Sequence, residues 1–311
     1  MSLTVPDHFT IQFGKNFEAT TQQMVSRLKQ AAIVTTGCTG EAKTHNLVLP
    51  LEDEETTGQR YGAYDLKDLD TEKRWTRPRK FRAVSSEDEF DEVLLAPTIM
   101  PGGTHVQAHA ATYGRRCDKI LVEGLLGTNY KGADGTTSAT ITQEIPVDFV
   151  NSGADTDSGM TAPKIIEAVR MLKASEAFNA EKQAMGVRLW GLMNSTIEAQ
   201  LLNAANSTTG ERLYSKDFLP PVYDANGSLK FWLGVNWLSI EGLTLNTNDT
   251  IAESAIWTSD GLHFDIWKDI QTHVDIRTDR DHAVQFVSKY AFAACRHQET
   301  QVVKINCLLP S

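Results

Sequence analysis

Residues 37–44 come closest in this chain to a motif for nucleotide chemistry. They read Gly37-Cys-Thr-Gly-Glu-Ala-Lys-Thr44 and nearly match the phosphate-binding loop Gly-x-x-x-x-Gly-Lys-Ser/Thr. In that loop backbone N–H groups surround the phosphates, which requires a glycine where this chain has Ala42. Residues 46–50 then read as a short strand ending at proline, whereas a phosphate loop leads into a helix. An ordinary turn is favoured, and a nucleotide-binding enzyme through 37–44 stays as an alternative.

Histidines suggest metal or acid–base chemistry at two places. His105 and His109 are four residues apart, which on a helix puts two imidazoles on one side, but a zinc protease needs glutamate where Val106 stands. A second set, without a third ligand at convincing spacing, consists of His273 with Asp275, and of Asp279 with Asp281 and His282. We therefore predict no catalytic residue, no metal site and no cofactor, and the sequence gives no positive case for an enzyme.

Composition limits the classes of protein that fit. The 311 residues are 41% hydrophobic, which is enough for a substantial core and two linked domains. The net charge of −10 argues against binding nucleic acid through charge neutralisation by the whole protein. We expect no signal peptide, because no early stretch combines a basic start with a long apolar run, and no membrane span, because no run approaches about 18 apolar residues. Four cysteines without paired spacing predict reduced, buried thiols in a cytoplasmic protein.

Residues 104–126 form the longest helical pattern. The apolar or small residues that recur at steps of three and four are Val106, Ala110, Tyr113, Cys117, Ile120, Leu121, Gly124 and Leu125. Thr104 is the predicted N-cap, and Gly127 is the predicted left-handed residue after the helix. Gly114 and Gly124 each cost about 1 kcal/mol in a helix, so we expect another backbone to approach closely there.

The first 45 residues read as an arm. Phe9, Ile11, Phe13 and Phe17 are its apolar anchors, and Phe13 and Phe17 are candidate subunit contacts. Residues 20–32 have the pattern of a short amphipathic helix with Met24, Val25 and Leu28 inward. A segment detached from the core would be stabilised by lying on a neighbouring chain.

Residues 51–95 carry blocks of opposite charge. The residues predicted to contact other subunits are the basic and aromatic Lys73, Arg74, Trp75, Arg77, Arg79, Lys80 and Arg82 and the acidic Glu87, Asp88 and Glu89. The near-alternation around Pro78 predicts two strands of a protruding hairpin. Such a hairpin is suited to selecting a complementary surface on another subunit. A nucleic-acid-binding module through 73–82 is the alternative, weakened by the flanking acidic runs.

The rest of the chain separates helices from strands. A second helix is predicted from Thr161, with Ile165, Ile166, Val169, Leu172 and Phe178 as its apolar face, and a third covers Leu189–Ala205. Residues 231–240 predict one strand and residues 286–309 a terminal β-ribbon. Because strands and helices are segregated rather than alternating, we predict an α+β fold.

The order of these features resembles the major capsid proteins of tailed bacteriophages, in the group common among short-tailed phages. The segments that carry the resemblance are Phe13-Gly-Lys-Asn-Phe17, Arg60-Tyr-Gly62, Tyr113-Gly-Arg-Arg-Cys-Asp-Lys-Ile-Leu121, Gly127-Thr-Asn-Tyr-Lys-Gly132, Gly135-Thr-Thr137 and the helix from Thr161 to Ala174. No single motif is diagnostic; the order and spacing are what match over nearly the whole chain.

The resemblance implies a Hong Kong 97-like fold and a structural role. The implied parts are an N-terminal arm at 1–50, an extended loop at 51–95, a peripheral domain with a spine helix at 96–154, an axial domain at 155–280 and a return to the peripheral domain at 281–311. It implies self-assembly into hexamers and pentamers of an icosahedral head in the virion, built in the host cytoplasm around DNA bound without sequence specificity. Implied partners are scaffolding, portal and decoration proteins, with no membrane.

Overall fold

Helices and strands are both abundant in the computed structural model, which describes residues 23–51, 53, 68–87, 101–149, 157–206, 221–225, 227–243, 250–280 and 282–309. The described helices are α1 (Pro101–Leu126), α2 (Ala162–Ala174), α3 (Ala180–Ala184) and α4 (Ser195–Asn206). The described strands are β1 (Ile33–Thr36), β2 (Lys43–Val48), β3 (Thr71–Thr76), β4 (Arg79–Glu87), β5 (Asn129–Lys131), β6 (Thr137–Ala139), β7 (Glu144–Ile145), β8 (Leu189–Met193), β9 (Val222–Tyr223), β10 (Leu229–Trp232), β11 (Val235–Ser239), β12 (Ile251–Thr258), β13 (Leu262–Arg277), β14 (Ala283–Arg296) and β15 (Val302–Leu308).

These strands form three sheets. Their orders are β1-β13-β14-β4, β7-β15-β12-β8-β11-β10-β9 and β2-β3-β5-β6. The chain divides into two compact units, one made of residues 1–26, 80–115 and 270–290, the other of 27–79, 116–269 and 291–311. In the second unit α2 packs on β15 and β12, and Trp257 and Phe264 are fully buried. The predicted mixed α and β fold is confirmed.

The predicted spine helix is present as α1, although its ends differ from the prediction. It begins at Pro101, so Thr104 lies inside the helix and is not the N-cap. Gly127 does not adopt a positive φ; its N–H instead donates to the carbonyl of Glu123 at 2.8 Å and closes the last turn.

The predicted apolar stripe of α1 is correct only towards its C-terminus. Cys117, Ile120, Leu121 and Leu125 are buried. In the first turns Val106 is 53% exposed, and the buried positions are His109 and Ala111 instead of Val106 and Ala110. The stripe there is set by polar partners of His109, which apolar periodicity does not reveal.

Gly114 and Gly124, in the interior of α1, both face another backbone, as predicted. A Cβ on Gly114 would lie 3.0 Å from the backbone nitrogen of Ser26. A Cβ on Gly124 would lie 2.7 Å from the Cβ of Ala294 and 2.9 Å from its carbonyl carbon and oxygen. Glycine lowers the helix propensity at these two positions, but the absence of a side chain lets α1 pack closely against the backbone of Ser26 and Ala294.

Replacing Gly124 by alanine should destabilise the chain. Contact with the backbone of Ala294 should outweigh the gain of about 1 kcal/mol in helix propensity, for a net loss of about 1–2 kcal/mol in unfolding free energy. Urea denaturation of the unassembled chain measures this. Gly242→Ala is the control, because a Cβ there meets nothing within 4 Å. Equal stability of Gly124→Ala and wild type would contradict the packing argument.

The other predicted helices and strands need several corrections. Of the helix predicted at 20–32, the described part is irregular up to a 3-10 helix at Leu28–Ala31, and Met24 and Val25 are exposed while Leu28 is buried. Of the helix predicted at 189–205, the first residues are strand β8 and the rest is α4. The apolar segment 189–193 is buried in a sheet, and such short runs do not distinguish strand from helix.

Strand pairing also differs from the prediction. The single strand predicted at 231–240 is the hairpin β10–β11, whose turn contains Leu233 and Gly234, both with positive φ. The predicted terminal ribbon at 286–309 consists of β14 and β15, but these lie in different sheets.

Helix α2 starts after Thr161, as predicted, yet its inward face contains a lysine. The hydroxyl of Thr161 makes no capping hydrogen bond, and Ile166, predicted to be apolar and inward, is 41% exposed. Lys164 is fully buried, and its ammonium group donates to the carbonyls of Val147 and Ser158 at 2.9 Å and of Asn306 at 3.0 Å. Burial lowers the pKa of Lys164. This cation satisfies carbonyls from three segments.

Candidate assembly surfaces

The basic segment around Pro78 lies on two strands that do not pair with each other. Strand β3 pairs antiparallel with β2, from Lys43 opposite Thr76 to Val48 opposite Thr71, whereas β4 belongs to another sheet. The hairpin is thus β2–β3, with residues 49–70 as its connection, and the hairpin predicted around Pro78 is wrong. Proline lacks the N–H that a continued ladder needs, so the chain changes sheets there.

Two of the predicted contact residues make hydrogen bonds within the chain itself. Arg74 is 2% exposed, and its guanidinium donates to both carboxylate oxygens of Glu299, with Nη1 2.6 Å from Oε1. Trp75 donates from Nε1 to the carbonyl of Gly132 at 2.7 Å, and its ring covers Gly135. Side chains of a strand alternate between faces, so consecutive basic residues do not share one role. Arg74 is therefore an internal structural residue, which corrects its prediction as a subunit contact, whereas Trp75 is only half-buried and its role as a subunit contact stays a prediction.

The remaining basic side chains of this segment are exposed; they are Lys73, Arg77, Arg79, Lys80 and Arg82. The guanidinium of Arg77 lies 5.9 Å from the ring centre of Tyr130, and Arg79 forms an ion pair with Glu123. Of these five, Arg77 and Arg79 help to line a cleft of about 280 Å³. An exposed cleft with aromatic and charged walls is suited to contact with another protein surface.

The five other candidate contacts are Phe13, Phe17, Glu87, Asp88 and Glu89. Phe13, Phe17, Asp88 and Glu89 lie outside the described residues, and Glu87 is the last residue of β4. They remain sequence predictions.

The segment 37–44 is not a phosphate-binding loop. Strand β2 begins at Lys43, so no helix follows the segment. The ammonium group of Lys43 donates to Oδ1 of the fully buried Asp265 at 2.6 Å and is therefore not available to a phosphate.

His105 and His109 are held by hydroxyl groups within the first unit. Nε2 of His109 lies 2.8 Å from Oγ of Ser85, Nδ1 of His109 lies 2.8 Å from Oγ of Ser288, and Nδ1 of His105 lies 2.9 Å from Ser85. Burial, followed by the neighbouring His105, lowers the pKa of His109. The two histidines connect α1 to β4 and β14 as polar structural residues.

Three histidines that are distant in sequence meet in the second unit, and sequence reasoning missed them. The ring centres of His45 and His263 are 4.2 Å apart, and those of His263 and His297 are 4.7 Å apart. Burial, followed by His45 and His297, lowers the pKa of His263 to about 3. The residues lie on β2, on β13 and after β14, and no motif links them.

This histidine cluster adjoins Asp265, whose carboxylate is 0% exposed. Lys43 is one of the partners of the Asp265 carboxylate. In addition, Nε2 of His45 lies 2.7 Å from Oδ2 of Asp265, and the Thr76 hydroxyl donates to the same oxygen at 2.8 Å. Burial disfavours the carboxylate, but the hydrogen bonds from His45, Lys43 and Thr76 lower the pKa of Asp265 to about 2. The buried charge therefore joins the hairpin β2–β3 to β13.

The described members of the second set of candidate histidines show no catalytic arrangement. His273 and Asp275 are exposed on β13, and Asp279 pairs with Arg277; Asp281 lies outside the described residues. Within the described part of the chain, no group of three or more His, Cys, Asp and Glu side chains could hold a metal ion. Among the same residues, no helix is long and apolar enough to cross a membrane.

Comparisons with known proteins agree on one class of protein. A profile of the family described as phage capsid protein matches residues 5–309. The capsid of Cyanophage Pam1 is similar at 11% identity with a TM-score of 0.67, covering 99% of each chain. The capsid of Cyanophage P-SCSP1u has a TM-score of 0.63 at 10% identity, covering 98% of this chain and 94% of that one. The capsid of Ralstonia phage GP4 has a TM-score of 0.60 at 12% identity, covering 100% and 99%. No curated protein matches the sequence.

Proposed function

The chain belongs to the phage capsid protein family and is a structural major capsid protein of the virion, and we propose that it assembles into hexamers and pentamers of an icosahedral head around double-stranded DNA. Assembly into shells of repeated subunits follows from the capsid class of the matched proteins. The observation that supports specific contacts is the set of exposed cations on β4 and before it, in a chain of net charge −10. Exposed cations on an acidic protein give copies complementary surfaces.

The domain plan of the Hong Kong 97-like proteins is part of this proposal. Residues 1–50 act as an arm, 51–95 as an extended loop on the neighbouring subunit, 96–154 with 281–311 as the peripheral domain, and 155–280 as the axial domain. The hairpin β2–β3 supports the extended loop, because residues 51–70 of its connection fall inside that range. Many weak contacts then add up in a closed shell.

Further partners follow from the same role. Scaffolding, portal and decoration proteins would bind the shell, which would form in the host cytoplasm. An acidic subunit suits a container for DNA, since a basic inner wall would bind the genome strongly. The nucleotide-binding alternative has no support, because the ammonium group of Lys43 is bound to Asp265. The nucleic-acid-binding alternative through 73–82 is weakened, because Arg74 is buried and cannot contact a phosphate.

Charge reversal on β4 tests the proposal. Lys80→Glu with Arg82→Glu should leave the unassembled chain folded, because both side chains are exposed, but should lower the yield of shells at least about tenfold. Electron microscopy and sedimentation of the chain expressed with its neighbouring phage genes measure the yield. Lys80→Arg with Arg82→Lys is the charge-preserving control. Normal shells from the reversed variant would remove β4 from the contact surface, and an absence of shells from wild type would contradict assembly itself.

A further inference from the structure

A cleft of about 550 Å³ in the second unit has the composition of a binding site. It lies between the end of α2, the loop after α3 and the hairpin β10–β11. Its walls include Phe178 and Phe231 and two basic residues, Lys173 and Arg188. This volume is within the range of ligand-binding clefts, about 300–1,000 Å³, and apolar walls with few charged groups are typical of them.

The two cations of this cleft have no partners for their charges in the described part of the chain. Lys173 and Arg188 are exposed, and neither side chain makes an ion pair or hydrogen bond to a described residue. Arg188 uses only its backbone, whose N–H donates to the hydroxyl of Ser259. The adjacent Lys182, in contrast, lies 3.8 Å from a carboxylate oxygen of Asp260. The cleft is therefore complementary to an acidic ligand.

The rim of the cleft presents apolar side chains to solvent. Phe231 is 39% exposed, and Met185, next to the cleft residue Gly186, is 82% exposed. Leu233 adopts φ 52, a left-handed conformation that costs a leucine energy, and thereby keeps an apolar side chain at the rim. The ligand should accordingly combine acidic groups with an apolar or aromatic side chain.

One segment of this chain has that chemistry. Residues 87–92 read Glu-Asp-Glu-Phe-Asp-Glu, five carboxylates around Phe90. The other acidic run, residues 52–55, has no aromatic residue. We propose that residues 87–92 of a second copy occupy this cleft, with Phe90 against the aromatic wall and the carboxylates on Lys173 and Arg188. This rests on the proposed function, since it names the surface that receives one of the predicted contact segments.

The arrangement also explains how such a contact can repeat. Each copy carries this cleft and its own residues 87–92, so the contact is heterologous, and a heterologous contact generates a ring when its rotation closes. An aromatic anchor surrounded by charge pairs would then provide both affinity and register.

A disulfide trap tests the contact directly. One chain carries Glu89→Cys and another carries Arg188→Cys, and the two are co-assembled and oxidised. We expect disulfide-linked dimers in non-reducing gels only when both chains are present. The matched control replaces Glu89→Cys by Glu54→Cys, and oxidised wild type controls for the native thiols, of which Cys117, Cys295 and Cys307 are buried. Absence of the dimer, or equal trapping by the Glu54 variant, would overturn the proposal.

Charge exchange provides a second test. Lys173→Glu with Arg188→Glu should reduce the yield of shells at least about tenfold, and adding Glu87→Lys with Glu89→Lys in the same chain should restore it. Lys173→Arg with Arg188→Lys should assemble normally. Normal shells from the reversed cleft would overturn this contact while leaving the capsid function standing, whereas failure of wild type to form shells would remove the capsid function itself.

Discussion

Replacing Arg296 by methionine should lower the unfolding free energy by about 3–5 kcal/mol. Arg296 is fully buried, and Nη1 donates to the carbonyls of Leu125 at 2.7 Å, Gly127 at 2.5 Å and Gly124 at 3.3 Å. Its other terminal nitrogen donates to the carbonyl of Ala139 at 2.9 Å. Methionine is also long and unbranched, but it would remove the donor that Arg296 supplies to the carbonyls of Leu125 and Gly127; the carbonyl of Gly124 would keep Asn129 as its donor.

The physical reason is that the last carbonyls of a helix have no partner within the helix and carry the negative end of its dipole. The buried guanidinium of Arg296 donates hydrogen bonds to these carbonyls and places a positive charge at the negative end of the dipole. Burial lowers the pKa of Arg296 to about 10, so the group is still charged at neutral pH. Each buried acceptor that loses its donor costs about 1–3 kcal/mol.

Guanidinium denaturation of the unassembled chain measures the effect of Arg296→Met. Arg280→Met, at an exposed position in the turn between β13 and β14, should change stability by less than about 0.5 kcal/mol. Arg296→Lys should fall between the two, because one ammonium group cannot reach all four carbonyls. A loss below about 1 kcal/mol in Arg296→Met would show that water or a rearranged helix end replaces the guanidinium.

The sequence revealed α1 because an apolar stripe repeats over many turns, and Gly114 and Gly124 correctly indicated close backbone contact. The predicted buried face was wrong in the first turns of α1, where a polar residue is buried instead of an apolar one. His109 is buried because Ser85 and Ser288 satisfy both of its nitrogens, and these residues come from strands far along the chain. Local periodicity contains no information on such partners.

Buried charges account for most of the remaining errors. Arg74 belonged to an apparent surface patch, yet strand alternation turns it inward, where Glu299, 225 residues later in the sequence, compensates its charge. Asp265 is likewise fully buried and satisfied by residues of β2 and β3 that are distant in sequence. Lys164 is fully buried too, and one of the carbonyls that accept from it belongs to the distant Asn306. A sequence reading assigns charged residues to solvent because most of them are there. Only the fold shows which charges have found partners.

Strand pairing could not be predicted from the sequence either. Strands β2 and β3 pair across residues 49–70, whereas the pattern around Pro78 favoured pairing of β3 with β4. Alternation indicates that a segment is a strand but not which strand lies beside it. The family was identified differently, by the order of several weak segments over the whole chain, and the matched profile over residues 5–309 confirms it.

Acid should destabilise the chain through the histidine cluster. The pKa of His263 is about 3 in the folded chain against 6.5 when unfolded, so the unfolded chain binds the proton more readily. The contribution of the neutral His263 to the free energy of unfolding is therefore complete above about pH 6.5 and is lost as the pH falls towards 3. At 1.36 kcal/mol per pH unit, the change from about pH 7.5 to 4.5 should cost about 2–3 kcal/mol. Urea midpoints of the unassembled chain at the two values measure it.

His263→Gln should reduce this pH dependence, because glutamine does not titrate, and His273→Gln, at an exposed position on β13, should leave it unchanged. The charged and titratable groups facing His263 are His45, His297, Asp265 and Lys43. Asp265 does not account for the loss, since its pKa of about 2 lies below the ordinary 3.8 and its stabilisation is kept until the pH falls below about 4. An unchanged pH dependence in His263→Gln would assign the acid sensitivity to other groups. A reduced dependence would show that a neutral, partly buried imidazole is what the junction between β2 and β13 requires.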